Sequence, residues 1–527
     1  MNYKRKLVSG LALCLCGASL AAYQPERPGI PGRVTGQTET TSDRTQETSA
    51  YDAERYTFST DVYGPGVTNL SSSDSYSRYQ WGLKNDAELR YSEIINRFKD
   101  SNPKLATFID LANYLGMPAP VAGPDAYRIK EIRARKGVDI DVLPAWNLYD
   151  ASTEEHRQVV VAVIDTGIDI NHPDLKDAIW TNEDEIPGDG IDNDGNGYID
   201  DVHGWNFFDG NNELCKGSED DHGTHAAGTI AATRGNGGIA GIADNKYVKI
   251  MSLKALGTQY GVGEEKAIIE AIRYAEANGA SICNLSFGTT EYYPELEKVM
   301  RESKMLFVVS AGNGDAKGIG EDTDQKPDYP SSFDLDNVIS VANLMFDGNL
   351  AESSNYGAKS VDIAAPGTYI VSTIANSGYG FMTGTSMSAP MVTGAAAFLY
   401  SYRTDLQLSD IRKVLLETAR KIPPLEGKLS SNGMLDVYAA LNYGRTTENT
   451  AESTAENTTE SVDAGNSGST DNTGADVSAA AGNTENPESA QSGQETQNSG
   501  DAAQTESQTT TSKTITAGGG EPIRLGQ

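Results

Sequence analysis

Cysteine is scarce in this sequence. Only four cysteines occur among 527 residues, and two of them, Cys14 and Cys16, belong to an apolar run near the N-terminus. The other two, Cys215 and Cys283, are too few for a fold held together by several disulfides. They leave two alternatives open, one disulfide or two separate thiols, and neither has the surroundings of a catalytic cysteine.

Basic residues are few relative to acidic ones. The chain has 42 Lys and Arg against 74 Asp and Glu, which gives a formal net charge of −32 at pH 7. This excess of negative charge argues against nucleic acid and anionic membrane surfaces as partners. We interpret the acidic surface as one that favours solubility and the binding of cations.

Long apolar runs are missing after the N-terminus, so no membrane span is predicted. Residues 1–22 combine a basic start with a mostly apolar run over residues 7–20 and small residues near its end, the pattern of a signal peptide. That run is too short for a typical membrane span. We therefore expect a secreted, extracellular protein, either free or associated with the cell surface. Cys14 and Cys16 leave lipidation open, although a leucine precedes each where a small residue is expected.

Two segments lack the pattern of a packed core. Residues 23–74 are rich in Ser, Thr, Gly and Pro and are predicted to be a pro-region or linker. Residues 446–527 contain no aromatic residue and are mostly Ser, Thr, Asn, Glu, Gly and Ala. Such a composition cannot bury enough apolar area to offset the entropy of ordering, so we predict a disordered acidic tail. A stalk that spans a cell wall or carries glycans is the alternative.

Residues 75–445 are predicted to form one globular domain, which is long enough for a large core. Apolar runs typical of strands alternate with runs typical of helices. This alternation predicts an α/β fold with a mostly parallel twisted sheet covered by helices on both faces. The predicted strands are 247–253, 281–285, 305–310 and 338–341, and the predicted helices are 264–277, 294–302 and 409–420.

Ser386 is the candidate nucleophile. It lies in the segment Gly384–Pro390, where a glycine precedes a run of small and apolar residues that indicates a buried helix. The start of a helix carries unpaired N–H groups and a partial positive charge, so a serine there lies beside donors that can hold a developing oxyanion. The alternative is an N-cap serine, which is common at helix starts.

A nucleophilic serine needs a base, and the base needs an acid to orient it. Among only five histidines, His222 opens a glycine-containing segment that leads into a helix of small residues. Asp165 follows six consecutive apolar residues, 159–164, which predict a strand buried on both faces. Catalytic groups in open α/β sheets gather beyond the carboxyl ends of parallel strands, which is where Asp165 would lie.

These motifs resemble those of the subtilisin-like serine peptidases, or subtilases. The resemblance extends from about residue 79 to about residue 443 and implies a three-layer fold and a serine endopeptidase that works through an acyl-enzyme. It implies Asp165 as the orienting acid, His222 as the general base and Ser386 as the nucleophile, with His225 as a packed residue. The matching motifs, in the family's order, are Asp165-Thr166-Gly167, His222-Gly223-Thr224-His225 and Gly384-Thr385-Ser386-Met387-Ser388-Ala389-Pro390.

The same resemblance implies an oxyanion donor and a peptide-binding groove. Asn313, within Ser310–Gly314, matches the family's side-chain donor to the oxyanion. Two family strands sandwich the substrate backbone, and glycines in them allow the peptide to approach. The substrate-binding residues implied on these strands are Gly261, Gly263, Ser286, Phe287 and Gly288.

Asp328 is the candidate residue for substrate selectivity. By the same alignment it reaches the base of the pocket for the residue that precedes the scissile bond. A carboxylate there would favour Arg or Lys. The alternative is an ordinary aspartate of a surface loop.

Calcium is the predicted cofactor. The loop 189–201 carries oxygen ligands at alternating spacing around glycines, which suits Ca²⁺. It begins like an EF-hand loop but has His203 where that loop has its bidentate glutamate. The resemblance adds Asp174, which matches a family calcium ligand, although the facing loop is shortened here and carries Arg234. The candidate ligands are Asp192, Asp194, Asn196, Asp200, Asp201 and Asp174.

Residues 86–137 form an insertion relative to the family, with helical patterns over 89–98 and 105–115. The chain before Gln80 is too short and too polar for the folded N-terminal chaperone that many subtilases carry. Either folding needs no such chaperone or the insertion replaces it.

The sequence therefore predicts a secreted, monomeric serine endopeptidase that acts on protein or peptide substrates. Two alternatives are a dedicated processing protease for one exported peptide and a non-catalytic surface protein that binds a partner through a subtilase-like fold.

Overall fold

The computed structural model describes residues 73–87, 134–257, 261–315, 318–445, 514–517 and 523–524. The predicted signal peptide, almost all of the predicted pro-region, most of the insertion 86–137 and most of the tail lie outside the described residues. The chain divides into two units, one made of residues 1–443 and 512–527 and the other of residues 444–511. All helices and strands given below belong to the first unit.

A nine-stranded sheet forms the centre of this unit. The strands are β1 Val159–Asp165, β2 Gly204–Asn206, β3 Val248–Lys254, β6 Ile282–Leu285, β8 Leu306–Ser310, β9 Val338–Leu344, β10 Ile363–Pro366, β13 Arg420–Lys421 and β14 Gly433–Met434. Their order in the sheet is β13-β14-β10-β9-β8-β6-β1-β3-β2. Every neighbouring pair is parallel except β13 and β14.

Helices cover both faces of this sheet. Alternate residues of β1 point into different cores, because successive side chains of a strand face opposite ways. The helices are α1 Val142–Ala151, α2 Asp221–Ala231, α3 Glu265–Ala277, α4 Pro294–Glu302, α5 Thr385–Tyr402, α6 Leu408–Thr418 and α7 Val437–Leu441. Val161 and Val163 pack with α1, α2, α5, α6 and α7, whereas Ala162 and Ile164 pack with α3 and α4.

The predicted three-layer α/β fold is thus confirmed. The strands predicted over 159–164, 247–253, 281–285, 305–310 and 338–341 correspond to β1, β3, β6, β8 and β9, and the helices predicted over 264–277, 294–302 and 409–420 correspond to α3, α4 and α6. The long helix α5 is apolar on all sides and almost entirely buried, as expected of a helix in the interior of a large domain. Cys215 and Cys283 are both free thiols, so the alternative of one disulfide is wrong.

Two smaller sheets lie outside the central one. Strands β4 Leu256–Gly257, β5 Val262–Glu264, β15 Thr514–Ala517 and β7 Phe287–Gly288 form the first, in that order. Strands β11 Ile370–Ile374, β12 Gly378–Met382 and β16 Ile523–Arg524 form the second.

The tail departs from its prediction in these two sheets. Residues 514–517 and 523–524 belong to the segment predicted to be disordered, yet they form β15 and β16. The prediction rested on the inability of the tail's side chains to form a core, whereas strand addition uses main-chain hydrogen bonds. Within the described residues, no helix combines the length and the apolar character needed to cross a bilayer.

Candidate active site

Ser386 is the second residue of α5 and is buried. Gly384 precedes the helix with φ 155° and ψ 169°, which turns the chain from β12 into α5. The Ser386 hydroxyl donates to the carbonyl oxygen of Ser286 at 3.0 Å. As the second residue of a helix, Ser386 has a backbone N–H without an acceptor in the helix itself.

His222 and Asp165 are in direct contact. Asp165 ends β1, and His222 lies in the first turn of α2. Nδ1 of His222 lies 2.7 Å from Oδ1 of Asp165, and the same oxygen accepts the N–H of Thr166 at 2.7 Å. Gly223 permits this approach, because a Cβ there would lie 2.3 Å from the carbonyl oxygen of Gly167. The imidazole is thereby held in place through Nδ1.

His225, on the same helix as His222, has a different environment. It is fully buried on α2, and its Nε2 lies 2.8 Å from the carbonyl oxygen of Ile370. Burial lowers the pKa of His225 to about 3, so the ring is neutral at physiological pH. The ring is packed and hydrogen-bonded, as expected for the second histidine of this motif.

Asn313 is oriented by the residue before the candidate nucleophile. Its Oδ1 accepts the backbone N–H of Thr385 at 2.9 Å and the Thr385 hydroxyl at 3.1 Å. Both bonds use the amide oxygen, so the amide nitrogen points the other way. Among the described residues, that nitrogen donates no hydrogen bond. Asn313 is half-buried and can therefore reach a bound molecule.

A buried ion pair connects the end of the strand that carries Asp165 to the start of the helix that carries His222. The sequence patterns did not indicate this ion pair. Lys254, at the end of β3, is paired in register with Asp165 and is completely buried. Its Nζ donates to Oδ1 of Asp220 and to the carbonyl oxygen of Thr166. Asp220 lies two residues before His222, so the pair ties the start of α2 to the end of β1. Burial raises the pKa of Asp220, and the attraction of Lys254 opposes this rise.

The residues predicted to bind substrate lie on two short strands. Gly263 belongs to β5, and Gly261 precedes it with φ 55°. Phe287 and Gly288 form β7, directly after Ser286. The Phe287 side chain is fully buried in the core with α3 and α4, so only its backbone is available to a ligand. This burial is compatible with the predicted role of Phe287, which is main-chain pairing with a peptide and stays a prediction.

Asp328 is held against β7. The N–H of Tyr329 donates to the carbonyl oxygen of Thr289 at 2.7 Å, and the reverse bond measures 2.8 Å. A Cβ on Gly288 would lie 2.3 Å from Oδ1 of Asp328, so the carboxyl group lies directly beneath the glycine. That oxygen is buried and has no hydrogen-bond partner among the described residues. Burial, with a smaller effect of Glu321, raises the pKa of Asp328 to about 7.

The acidic loop gathers three carboxylates. Ligand oxygens of Glu185, Asp194 and Asp201 lie within 4.8 Å of one another. In the part of the chain that the structure describes, neither Lys nor Arg forms an ion pair with any of them. Asn196 belongs to the same group, because its amide donates to Asp194 and to Asp201 at 2.9 Å each. Glu185 was missed because it lies several residues before the loop, which folds back onto it.

The other predicted metal ligands lie outside this group. Asp192 accepts the N–H groups of Asn196 and Gly197, at 3.0 and 2.8 Å. Asp200 accepts those of residues 188–190. Asp174 accepts the N–H of Ile239 at 2.9 Å. Their carboxylates stabilise turns and loops, because short acidic side chains readily accept nearby backbone N–H groups.

Comparison with known proteins identifies the family of this chain. Residues 156–438 match the family model described as the Subtilase family. The major intracellular serine protease of Bacillus subtilis (strain 168) is 36% identical over 289 residues, which cover 53% of this chain and 81% of that protein. An intracellular serine protease of Paenibacillus polymyxa is 34% identical over 323 residues, which cover 59% and 87% of the two chains. Subtilisin-like protease 1 of Plasmodium falciparum (isolate 3D7) is 34% identical over 308 residues, 55% of this chain and 44% of that protein.

The prediction of a secreted, extracellular protein is wrong by this comparison. Two of these relatives are named intracellular proteases, which points away from a secreted protein. The prediction rested on residues 1–22, which lie outside the described residues. A basic start followed by a short apolar run does not by itself determine export.

Proposed function

The chain belongs to the subtilase family and is a serine-type endopeptidase, and we propose that Asp165, His222 and Ser386 carry out its chemistry. The observation that supports this most strongly is the 2.7 Å contact between His222 and Asp165. It fixes Nδ1 as the protonated nitrogen, because a carboxylate accepts and does not donate. Nε2 is then the nitrogen that can act as the base.

The reaction begins at the Ser386 hydroxyl. Nε2 of His222 takes the proton while Oγ forms a bond to the carbonyl carbon of the substrate. The carbonyl oxygen becomes an oxyanion, which accepts hydrogen bonds from the Asn313 amide and the Ser386 N–H. Asp165 stabilises the imidazolium that has formed.

The amide bond then breaks. His222 returns its proton to the leaving nitrogen, and the other half of the substrate remains as an ester on Ser386. A water molecule attacks this ester with His222 again as the base, and the carboxylic acid leaves.

A fluorophosphonate probe tests this assignment. We expect it to label the protein at Ser386 and to leave the Ser386→Ala variant unlabelled. Ser388→Ala is the matched control, because it removes a hydroxyl two residues along the same helix. Labelling of Ser386→Ala that equals that of the control would remove Ser386 as the nucleophile.

The substrate is an extended peptide. Strands β5 and β7 lie on either side of one strand position of their sheet, and a peptide in that position gains main-chain hydrogen bonds with little demand on sequence. The main chain of Gly261, Gly263, Ser286, Phe287 and Gly288 forms the walls of this groove.

Asp328 favours a basic residue before the scissile bond. Its carboxyl group lies beneath Gly288 and its buried oxygen lacks a partner among the described residues. An Arg or Lys side chain that enters beside Gly288 would supply the missing cation and hydrogen bond. This feature also favours a processing protease with a narrow range of substrates over an enzyme that degrades proteins generally.

Calcium fits the group of Glu185, Asp194 and Asp201. Three carboxylates with no basic side chain among the described residues to balance them form a hard oxygen site, which suits Ca²⁺. When bound, the ion would stabilise the acidic loop, and it takes no part in the steps above.

A further inference from the structure

The groove between β5 and β7 contains a strand of the chain itself. Strand β15 is antiparallel to both, so the sheet order is β4-β5-β15-β7. Ile515 is paired with Gly263, and Thr516 is paired with Val262 on one side and Gly288 on the other. A strand spacing of about 4.8 Å on each side means that β5 and β7 lie one strand apart, which is the width an incoming peptide needs.

A second strand of the tail pairs with the strand that leads into the candidate nucleophile. Strand β16 is antiparallel to β12, with Ile523 paired to Phe381 and Arg524 to Gly380. Strand β12 leads into Ser386 within four residues, and β7 follows Ser286, whose carbonyl oxygen accepts the Ser386 hydroxyl. The two tail strands therefore pair with the two strands that border the nucleophile.

We propose that the tail, through residues 514–517 in the groove and residues 523–524 beside it, is an intramolecular peptide ligand of the substrate groove and competes there with other peptides. The proposal rests on the function proposed above. Both tail contacts consist of backbone pairing, the mode by which a groove of this kind accepts peptides of differing sequence. The tail is thus held as a substrate would be.

Chain length permits this arrangement. Residues 446–513 link the domain to β15, and fully extended they could span more than about 200 Å. A tethered ligand acts at an effective concentration of roughly 1 mM. If the segment binds with a Kd of about 10–100 μM, a competing peptide would bind about 10- to 100-fold more weakly than to an open groove.

Proline substitution of the tail tests the proposal in the full-length chain. Adjacent residues of a strand direct their N–H groups to opposite sides, so Ile515→Pro with Thr516→Pro removes one donor toward each neighbour. The matched control is Thr505→Pro with Ser507→Pro, which adds two prolines before β15. All proteins carry Ser386→Ala, so that neither the tail nor an added peptide can be cut.

The measurement is fluorescence anisotropy with a labelled synthetic peptide of residues 512–524. We expect the variant with prolines at 515 and 516 to bind this peptide at least about 10-fold more tightly than the control or the parent. Equal affinity in all three proteins, or no binding to the variant with the opened groove, would overturn the proposal.

A separate measurement tests the proposed catalytic residues independently of the proposal for the tail. The same proline variant with Ser386 restored is assayed for hydrolysis of an unrelated peptide. Absence of hydrolysis would contradict the proposed catalytic residues, whatever the binding result. Hydrolysis together with equal peptide affinities would contradict the tail proposal alone.

Discussion

Ser286 and Ser386 are joined by two hydrogen bonds that run in opposite directions. The Ser286 hydroxyl donates to the carbonyl oxygen of Ser386 at 3.0 Å, and the Ser386 hydroxyl donates to the carbonyl oxygen of Ser286 at 3.0 Å. The Ser386 carbonyl is available because Pro390, four residues later in α5, has no N–H to donate to it. These two hydrogen bonds hold the start of α5 against the residue that precedes β7.

Removing the Ser286 hydroxyl should loosen the nucleophile. In Ser286→Ala, the Ser386 carbonyl loses its donor and the Asn284 amide loses the acceptor that it contacts at 2.9 Å. We expect the free energy of unfolding to fall by about 1–3 kcal/mol, the cost of a buried polar group left unsatisfied. We also expect kcat to fall about 10-fold at constant KM, since the displaced group is the nucleophile. Urea unfolding in a Ser386→Ala background and initial rates in the active protein measure the two effects.

Ser388→Ala is the control for this experiment. Ser388 lies on the same helix, and its buried hydroxyl has no hydrogen-bond partner among the described residues. Its removal should cost less than about 1 kcal/mol, because no bond is lost. Equal losses of stability in the two variants would show that the Ser286–Ser386 contact contributes nothing of its own.

Asn313→Ala should lower kcat and leave KM almost unchanged. The Asn313 amide nitrogen is proposed to bond the oxyanion, which exists only after attack. Loss of such a donor lowers kcat by about 10²–10³-fold, a range measured in another member of this family. Initial rates with one peptide over a range of concentrations separate the two constants.

Thr385→Val gives a matched comparison for Asn313. It removes one of the two bonds to Oδ1 and keeps the backbone bond of 2.9 Å. The amide should keep most of its orientation, so we expect a loss of no more than about 10-fold in kcat. A larger loss in Thr385→Val than in Asn313→Ala would contradict the assignment of the oxyanion donor.

Local patterns were sufficient to predict the parts of the site that lie on strong elements. The apolar run before Asp165 predicts a buried parallel strand, and such a strand delivers its last residue to the sheet edge where catalytic groups meet. The small and apolar residues after Ser386 predict α5, because no face of that helix could be exposed to water. The order of the three motifs along the chain then indicated which residue was the acid, which the base and which the nucleophile.

The contacts that the sequence patterns missed form only when distant segments of the chain fold together. Lys254 is charged, and lysine is almost never fully buried unless it is paired, so nothing in the strand pattern pointed to its contact with Asp220. Glu185 joins Asp194 and Asp201 only after the acidic loop folds back. Strand β15 consists mostly of β-branched residues, which favour a strand, but its partners β5 and β7 lie more than 200 residues away in the sequence and no local pattern indicates them.

Selectivity for a basic residue should depend on pH through Asp328. The pKa of this carboxyl group is raised to about 7, so it is neutral below that value and charged above it. We expect the ratio of kcat/KM for an Arg peptide to that for the matching Leu peptide to rise between about pH 5.5 and 8.5. The ratio cancels any pH dependence that is common to both substrates.

Asp328→Asn should make this ratio low and independent of pH. The same variant should be more stable than the parent at high pH. A carboxyl group whose folded pKa is raised takes up protons on folding, so stability is lost as pH rises from its unfolded value of about 4 through about 7. The two proteins should have equal stability near pH 4. Equal or better cleavage after Leu by the parent at about pH 8 would contradict the role of Asp328.

Calcium should raise the stability of the domain through Glu185, Asp194 and Asp201. Binding to the folded state alone adds about 2.7 kcal/mol when free calcium is 100 times its Kd. We expect chelation with EGTA to lower the thermal midpoint of the Ser386→Ala protein, and readdition of Ca²⁺ to restore it. Glu185→Gln and Asp201→Asn should each weaken the response, because each removes one charged ligand.

Asp192→Asn is the variant that makes the calcium experiment specific. Asp192 belongs to the same loop, but its two oxygens accept the N–H groups of Asn196 and Gly197 and lie outside the group of three carboxylates. An asparagine oxygen can still accept one of these bonds, and the charge removed is the same as in Asp201→Asn. The midpoint of Asp192→Asn should therefore respond to calcium as the parent does. A response lost equally in both variants would indicate diffuse attraction of cations to an acidic loop, and would contradict a site formed by Glu185, Asp194 and Asp201.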